Sequence, residues 1–244
     1  MGELITVLSG KGGTGKTSVC AGLATALAEG GKRVLCVDCD VGLRNLDISL
    51  GMSELGALSF RDVCQGAYTL DQATAHPIYK TLFFLTAPMN CGPADVDPAA
   101  FTAMLRAARQ EFDYVFLDAP AGVDDGFRLT ATSADRIILV TGPDPGAIRD
   151  AGRTGEVLEL MGKDRVRLIV NRMSKRIAKS LDLTVDDIMD RAGLPLLGVV
   201  PEDPAVIMAA IDGEPLIYGY NRGAGAACRR IAKRIQGLRV PIKL

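Results

Sequence analysis

The stretch that decides the fold lies near the N-terminus and reads Gly10-Lys11-Gly12-Gly13-Thr14-Gly15-Lys16-Thr17, a full match to the pattern G-x-x-x-x-G-K-[ST]. An apolar run precedes it, and apolar residues with helical spacing follow from Thr17. Glycines allow backbone N–H groups to curl around phosphate oxygens, and the N-terminus of the following helix adds a favourable dipole. The sequence therefore predicts a phosphate-binding loop between a first strand and a first helix.

The rest of the chain continues this alternation of strand and helix. Short apolar runs predict strands at residues 4–8, 33–37, 82–86, 114–117, 136–141, 167–170 and 196–200. Helical spacing predicts helices at about residues 17–28, 98–111, 147–161, 185–192, 204–211 and 224–236. Several strand runs are apolar at consecutive positions, which is typical of strands covered on both faces. We expect an α/β fold, a single doubly wound, mostly parallel sheet with helices on both faces as in P-loop NTPases, in one domain spanning residues 1–244.

Composition excludes several classes of protein. The chain holds 28 Lys and Arg against 29 Asp and Glu, so its surface is not basic throughout. Six cysteines over 244 residues make no disulfide framework, no apolar run reaches 18 residues, and the N-terminus lacks the pattern of a signal peptide. We expect a cytoplasmic protein with reduced thiols. The near-zero net charge hides a basic end, because residues 221–244 contain seven basic residues and no acidic one.

Acidic residues end two of the predicted strands. Asp38 and Asp40 follow the second strand, and Asp118 follows the apolar run at 114–117. The carboxyl ends of parallel strands meet at the edge where α/β sheets bind ligands. In a phosphate-binding loop of this kind the lysine reaches the β- and γ-phosphates, the hydroxyl of the last residue binds Mg²⁺, and a strand-end acid holds the ion through water. Lys16, Thr17 and Asp118 suit these three tasks.

The extra lysine of the loop carries a resemblance to a known family. With Lys11 directly after the first glycine, the loop resembles the deviant Walker A motif of the MinD/ParA family of P-loop ATPases. Four other stretches resemble the family too, the first two of them its MinD branch in particular, and the resemblance runs from residue 4 to about residue 238. These stretches are Asp38-Cys39-Asp40-Val41-Gly42-Leu43-Arg44-Asn45-Leu46-Asp47, Asp118-Ala119-Pro120-Ala121-Gly122, Val170-Asn171-Arg172 and Gly198-Val199-Val200-Pro201-Glu202-Asp203.

The resemblance implies a slow, partner-stimulated, Mg²⁺-dependent ATPase that dimerises when it binds ATP and acts as a spatial switch. The catalytic residues would be Lys11, which would reach the partner subunit's nucleotide, Lys16, and Asp40, which would position the attacking water. The metal residues would be Thr17, Asp38 and Asp118. The residues binding ATP would be Gly10, Lys11, Gly12, Gly13, Thr14, Gly15, Lys16, Thr17 and Ser18 around the phosphates, Gly122 with its N–H on the γ-phosphate, and Asn171, Pro201, Glu202 and Asp203 around the adenine.

The resemblance further implies division-site placement, with MinC-like and MinE-like proteins as partners. A ParA-type ATPase that binds DNA without sequence preference stays an alternative, through a basic face of the last helix formed by Arg229, Arg230, Lys233 and Arg234. Peripheral binding to the inner face of the cell membrane also stays open. The family's membrane-binding members use a cationic amphipathic C-terminal helix, and this sequence stops about where a linker to that helix would begin.

The cysteines raise one more alternative, an iron–sulfur carrier of the same fold. Cys36 and Cys39 form a C-x-x-C pair, but positions three apart on a strand point to opposite faces, so the two thiols are not expected to bind one ion. The iron–sulfur alternative therefore depends on Cys91. The other cysteines are expected to be small buried side chains, namely Cys20, Cys36, Cys39, Cys64 and Cys228.

Overall fold

The computed structural model describes residues 1–41, 43–89, 96–174, 176 and 183–243. The strands are β1 (Glu3–Leu8), β2 (Val34–Asp38), β3 (Thr74–Ala75), β4 (Leu82–Leu85), β5 (Tyr114–Asp118), β6 (Arg136–Thr141), β7 (Val166–Met173) and β8 (Leu196–Pro201). The α-helices are α1 (Lys16–Glu29), α2 (Leu46–Leu50), α3 (Phe60–Cys64), α4 (Pro98–Glu111), α5 (Asp125–Ser133), α6 (Pro145–Leu160), α7 (Val185–Ala192), α8 (Ala205–Ile211) and α9 (Gly223–Ile235). A short 3-10 helix, Leu70–Gln72, precedes β3.

The strands form one sheet in the order β3-β4-β2-β5-β1-β6-β7-β8. Every pairing is parallel except that of β3 with β4. The predicted fold class, a doubly wound and mostly parallel sheet, is therefore confirmed. Strands β2 to β5 lie on one side of β1, and β6 to β8 lie on the other. The strand order thus reverses beside β1, at the point where such sheets open a ligand crevice.

Two apolar layers cover the faces of the sheet, because successive side chains of a strand point to opposite faces. On β2, Leu35 belongs to one layer, with side chains of α4 to α7, and Val34 belongs to the other, with side chains of α1 and α9. Cys36 lies in the second layer and Cys39 in the first. This placement confirms the prediction that the C-x-x-C thiols face opposite ways.

The structure contains helices that sequence periodicity did not predict. Helices α2 and α3 have five residues each, too few for an apolar stripe to be recognised. Helix α5 begins after Asp124, whose side chain accepts a hydrogen bond from the Phe127 N–H at 3.1 Å. Short helices of this kind depend on their caps and on tertiary packing more than on sequence period.

The cysteine predictions hold for four of the five thiols. Cys20, Cys36, Cys39 and Cys228 are buried. Cys64 is only partly buried, at the end of α3, so the prediction of full burial is wrong for this residue. Cys91 lies outside the described residues.

Two of the four basic side chains of helix α9, Arg229 and Arg234, each make several internal hydrogen bonds. The guanidinium of Arg229 donates to both carboxylate oxygens of Glu29, at 2.6 and 2.8 Å. It also donates to the backbone carbonyls of Tyr220 and Ile217, both at 2.8 Å. Arg229 therefore joins α9 to the end of α1 and to the loop that leads into α9.

Arg234 makes a similar set of contacts at the other end of α9. It donates to the carbonyl of Leu197 on β8 at 2.5 Å and to the carbonyl of Val240 at 2.6 and 2.9 Å. Arg230 approaches the carbonyl of Lys243 at 3.4 Å, and Lys233 is exposed. The four-residue basic face that the sequence predicted is therefore reduced. None of the described helices is long and apolar enough to cross a membrane.

Replacing Arg229 should destabilise the fold. The substitution Arg229→Ala leaves the carbonyls of Tyr220 and Ile217 without their donor, and we expect the free energy of unfolding to fall by about 2 kcal/mol. The exposed Lys233, replaced by Ala on the same helix, should change it by less than about 0.5 kcal/mol. Urea denaturation of the three proteins measures both changes, and equal losses in the two variants would contradict the structural role of Arg229.

Candidate functional site

The loop between β1 and α1 presents backbone amides that no side chain caps. Gly13 and Gly15 have φ angles of 81° and 84°, a left-handed region that favours glycine. Gly15 is the N-cap of α1 and offers no side-chain oxygen, whereas Asp97, Asp124 and Asp144 cap α4, α5 and α6 with their carboxylates. The first-turn N–H groups of α1 are therefore available to an anion.

Two further features show that the loop fits phosphate. The Thr14 hydroxyl is buried and has no hydrogen-bond partner in the described part of the chain, which is costly unless a ligand supplies one. A Cβ added at Gly12 or Gly13 would meet nothing within 4 Å, so the loop is open at these two exposed glycines. Gly10 is different: a Cβ there would lie 2.5 Å from the backbone oxygen of Asp150, so this glycine is required for packing against α6.

A buried ion pair lies at the base of the loop. The Lys16 ammonium is 2.5 Å from Oδ1 of Asp118 and 3.4 Å from the Thr17 hydroxyl. The Lys16 and Asp118 side chains are only 7% and 1% exposed. Burial lowers the pKa of Lys16, but the charge and hydrogen bond of Asp118 more than offset this, so the pKa lies above its usual value. Lys16 is therefore positively charged at neutral pH.

A second buried carboxylate lies next to this pair. Asp38 is paired in register with Asp118 across strands β2 and β5. Its oxygens accept hydrogen bonds from the N–H groups of Asp40 at 2.9 Å and Leu46 at 3.2 Å. Burial, and then the negative charge of Asp118, raise the pKa of Asp38 to about 7. Near neutral pH the Asp38 carboxyl is therefore about half protonated.

The oxygens of Thr17, Asp38 and Asp118 gather at this edge of the sheet and suit a hard cation. Mg²⁺ prefers oxygen ligands and keeps several waters, so it needs only one or two carboxylates together with the oxygens of a bound phosphate. Within the described ranges no group of three or more His, Cys, Asp or Glu side chains could hold a metal by itself. The donor set therefore fits a shared Mg²⁺–phosphate site better than an all-protein metal site.

The stretch after β2 is a turn held by its own carboxylate. Oδ1 of the partly buried Asp40 accepts a hydrogen bond from the Leu43 N–H at 3.2 Å. Arg44 has a φ of 48°, unusual for a residue with a side chain, and its guanidinium donates to the Thr86 hydroxyl at 3.0 Å. Gly42 lies outside the described residues. The stretch that follows β2 is thus anchored to Thr86, the residue directly after β4, a contact that the sequence did not indicate.

The two remaining residues predicted near the γ-phosphate contact other parts of their own chain. The Gly122 N–H donates to the carbonyl of Ser9 at 3.2 Å, so it would have to exchange this acceptor to reach a phosphate. The half-exposed Lys11 ammonium lies 3.5 Å from Oδ1 of Asp144, the N-cap of α6. Asp144 was not among the residues predicted for the site. The Asp144-Pro145 pair, an N-cap followed by a first-turn proline, was the available signal for it.

A cavity of about 500 Å³ opens beside the loop. Its lining includes the predicted residues Gly15, Ser18, Asn171, Pro201, Glu202 and Asp203, and residues that were not predicted, such as Arg172, Val206, Ile207 and Leu216. Nδ2 of Asn171 donates to the carbonyl of Thr14 at 2.8 Å, which joins the cavity to the phosphate-binding loop. The apolar lining residues were missed because they come from separate segments of the chain.

Two of the cavity residues are already engaged within the chain. The Asp203 carboxylate accepts hydrogen bonds from the N–H groups of Ala205 and Ala224, at 3.0 and 2.9 Å, and so joins the starts of α8 and α9. The Asn171 amide has committed one of its two protons to Thr14. Within the described residues, its oxygen and its second proton have no other partner and can pair with a base.

Comparisons with known proteins agree with this geometry. Residues 5–216 match the model of the CobQ/CobB/MinD/ParA nucleotide binding domain. The chain is 39% identical over 248 aligned residues to the septum site-determining protein MinD of Bacillus subtilis, covering 100% of this chain and 92% of that protein. It is similar to the MinC:MinD cell division protein complex of Aquifex aeolicus, with a TM-score of 0.91, 32% identity and 99% of each chain covered. It is also similar to MinD of Pyrococcus horikoshii complexed with Mg-ADP, with a TM-score of 0.83, 30% identity and 96% of each chain covered.

The raised pKa of Asp38 predicts a pH-dependent stability. The folded carboxyl keeps its proton up to about pH 7, whereas an unfolded aspartate releases it near pH ~3.9, so the folded state binds more protons between these values. The free energy of unfolding of the ligand-free protein should therefore fall as pH rises through this window, by on the order of 4 kcal/mol in all, of which about 2–3 kcal/mol is lost above pH ~5. Asp38→Asn should remove that part of the pH dependence.

Urea denaturation between pH 5 and pH 8, with EDTA and without nucleotide, measures this effect. The exposed Asp164, replaced by Asn, serves as the control and should follow the pH dependence of the wild type. Parallel curves for Asp38→Asn and the wild type would show that Asp38 does not titrate as predicted.

Proposed function

The chain belongs to the CobQ/CobB/MinD/ParA family of nucleotide-binding domains, and from this premise we propose that it is a single-domain, Mg²⁺-dependent ATPase that dimerises on binding ATP. Its role would be that of a MinD-like spatial switch in division-site placement. The observation that carries the proposal is the uncapped loop at the start of α1. This loop contains the Thr14 hydroxyl, which has no partner among the described residues, and the buried Lys16–Asp118 pair lies at its base. The cavity beside it is large enough for a base.

In this proposal the residues of the ligand-free site change partners when MgATP binds. Lys16 would exchange Asp118 for the β- and γ-phosphates, and the Thr14 hydroxyl and the α1 amides would gain the acceptors that they lack. Asp118 and Asp38 would then balance the metal, which supplies charge neutralisation at the phosphates. Asp40 lies at the same edge and would orient the attacking water.

Lys11 would supply a second positive charge to the nucleotide of the partner subunit. Its present contact with Asp144 is a half-exposed ion pair at 3.5 Å, of a kind that contributes at most about 1 kcal/mol. Lys11 can therefore leave Asp144 at low cost when two protomers meet. A lysine supplied in trans would stabilise the charge that develops during phosphoryl transfer, as an arginine finger does, so hydrolysis would require the dimer.

We also propose partners and a cellular location for this protein. The MinC:MinD complex among the similar structures supports a MinC-like partner, and we propose a MinE-like factor that stimulates a slow basal hydrolysis. The ATP and ADP states would then differ in oligomeric state and in affinity for partners, which is how a nucleotide drives positioning. The protein would be cytoplasmic and would bind the inner face of the cell membrane peripherally.

Replacing Lys11 separates binding from dimerisation. Lys11→Ala should keep its affinity for ATP within about threefold, because the half-exposed ammonium contacts Asp144 and the variant retains Lys16 and the uncapped amides of α1. It should lose the ATP-dependent dimer and most of the hydrolysis. Light scattering after size exclusion with ATP and Mg²⁺, together with phosphate release, measures both.

Two control variants accompany this experiment. Lys16→Ala should lose tight ATP binding altogether, because it removes the buried ammonium that pairs with Asp118 at the base of the loop. Circular dichroism verifies that the variant is folded. Lys80→Ala, at an exposed position just before β4, should behave like the wild type. If Lys11→Ala dimerises with ATP as the wild type does, the trans-lysine mechanism is wrong.

Sedimentation tests the two surfaces that a switch of this family could use. We expect more protein to pellet with anionic liposomes in ATP than in ADP, because a dimer doubles the number of weak contacts to one surface. We expect no pelleting with random duplex DNA, because Arg229 and Arg234 are engaged within the chain. Salt-sensitive, ATP-dependent binding to DNA would instead indicate a ParA-type role. If the protein pellets with lipid in neither nucleotide state, the proposed membrane binding is wrong.

A further inference from the structure

The single histidine of the chain, His76, is completely buried and opens the turn between β3 and β4. Its backbone N–H donates to the carbonyl of Leu82 at 2.9 Å, which closes the turn. Backbone groups engage both nitrogens of its ring. Nε2 lies 2.8 Å from the carbonyl oxygen of Leu50, at the end of α2. Nδ1 lies 3.0 and 3.1 Å from the backbone nitrogens of Ile78 and Tyr79.

These contacts require a neutral ring that carries its proton on Nε2. A nitrogen that accepts hydrogen bonds from two N–H groups has no proton of its own, so Nδ1 is the acceptor and Nε2 donates to Leu50. A protonated imidazole has an N–H on both nitrogens, and its Nδ1–H would face the N–H groups of Ile78 and Tyr79. Protonation would therefore remove both hydrogen bonds of the turn and place a positive charge in the interior.

The surroundings of the ring also oppose a positive charge. Burial lowers the pKa of His76, the hydrogen bond to Leu50 opposes this only in part, and the charge of Lys80 lowers the pKa further. Asp47, the acid of α2, lies at the start of that helix, whereas the ring contacts its end. No carboxylate in the described ranges forms an ion pair with the imidazole. The ring is therefore neutral near pH 7.

The charged groups of the neighbouring helices act on a different ring. Tyr79 packs beside His76 with ring centroids 5.4 Å apart. Burial raises the pKa of the Tyr79 phenol, Glu29 at the end of α1 raises it further, and Arg229 on α9 lowers it. Glu29 and Arg229 are themselves ion-paired at 2.6 Å, so their charges largely cancel at the imidazole. Neither helix supplies a charge that would stabilise a protonated His76.

Helix α2 is held in place through its two ends. It has five residues, too few to be stable without contacts outside the helix. At its start the Leu46 N–H donates to Oδ2 of Asp38 at 3.2 Å, and at its end the Leu50 carbonyl accepts the bond from His76. Because α2 begins shortly after Asp40, His76 connects the turn between β3 and β4 to the segment at the ligand edge of the sheet.

We propose that His76 is an acid-sensitive anchor of α2. The neutral ring fixes the end of the helix to the turn between β3 and β4. A protonated ring leaves its buried position for water, because a charge without a partner is costly in the interior, and it then gives up Leu50 together with the turn. The helix and the turn are released while the rest of the sheet stays folded. The ligand-free protein contains every group involved, so the inference goes beyond the proposed function and does not depend on it.

Variants of His76 that cannot titrate test the anchor. Below pH ~6.5 the unfolded chain takes up a proton that the folded ring resists, so His76 stabilises the fold fully above this pH and less as pH falls. His76→Asn keeps an acceptor for the turn, and His76→Gln keeps a donor for Leu50. The unfolding constant of either variant, divided by that of the wild type, should fall by up to about tenfold for each pH unit below ~6.5.

Urea denaturation between pH 5 and pH 7.5, without nucleotide, measures this ratio. The carboxylates titrate alike in all the proteins, so their contributions cancel. Arg229→Ala, which is destabilised for another reason, is the control, and its ratio to the wild type should not change with pH. If the His76 ratios also stay constant within twofold, the folded ring accepts a proton as readily as the unfolded chain and the proposal is wrong.

Amide hydrogen exchange in the wild-type protein locates the release, and it needs no variant that must fold. From pH 7.5 to pH 5, after correction for intrinsic exchange, the amides of Ile78 and Tyr79 should open severalfold more often relative to Ile138 in the core of β6. Ser49, whose N–H bonds within α2, should follow them. Opening of the turn without Ser49 would show that the helix is not anchored there, and equal changes at all four amides would indicate global unfolding. Either result overturns the inference and leaves the proposed function standing.

Discussion

The ion pair between Lys16 and Asp118 is the interaction on which the site depends. Both side chains are almost completely buried, and a buried charge without a partner would be strongly destabilising. The pair joins the first turn of α1 to the end of β5 and holds Lys16 at the base of the phosphate-binding loop. Asp38 lies next to it in register, so one positive and two acidic groups share a small volume. Burial first, and then the negative charge of Asp118, raise the pKa of Asp38, and the excess of acid suits the site to a cation.

The loop is held from its other side by a second polar contact. Asn171 donates to the Thr14 carbonyl from β7, while the Ser9 carbonyl accepts the N–H of Gly122 after β5. Strands β5 and β7 flank the central pair β1 and β6, so the loop is fixed from both halves of the sheet. A ligand then meets a loop whose shape is already set, which reduces the entropy lost on binding. Contacts such as Lys11 with Asp144 are weaker and can be exchanged.

The C-terminal region shows how a charge pattern changes meaning in a folded protein. As a sequence it contains seven basic residues and no acid, a composition typical of a surface that binds an anionic partner. In the structure Arg229 and Arg234 donate to carbonyl oxygens and to Glu29, an acid 200 residues away in the chain. Through these hydrogen bonds the two arginines attach α9 to α1 and to β8. The exposed positive charge is correspondingly smaller.

The sequence alone determined the fold class, the strand-loop-helix context of Gly10 to Thr17, and the positions of Asp38 and Asp118 at the ends of strands, because these depend on local spacing and on the period of apolar residues. It also indicated correctly that Cys36 and Cys39 face apart, since side chains alternate along a strand. Only the tertiary structure decided which groups touch.

The contact of Asp118 with Lys16, that of Asn171 with Thr14 and that of Arg229 with Glu29 all join residues that lie far apart in the chain. Local sequence contains no signal for such contacts. They arise when the sheet twists and packs, and burial then decides which charges must find a partner.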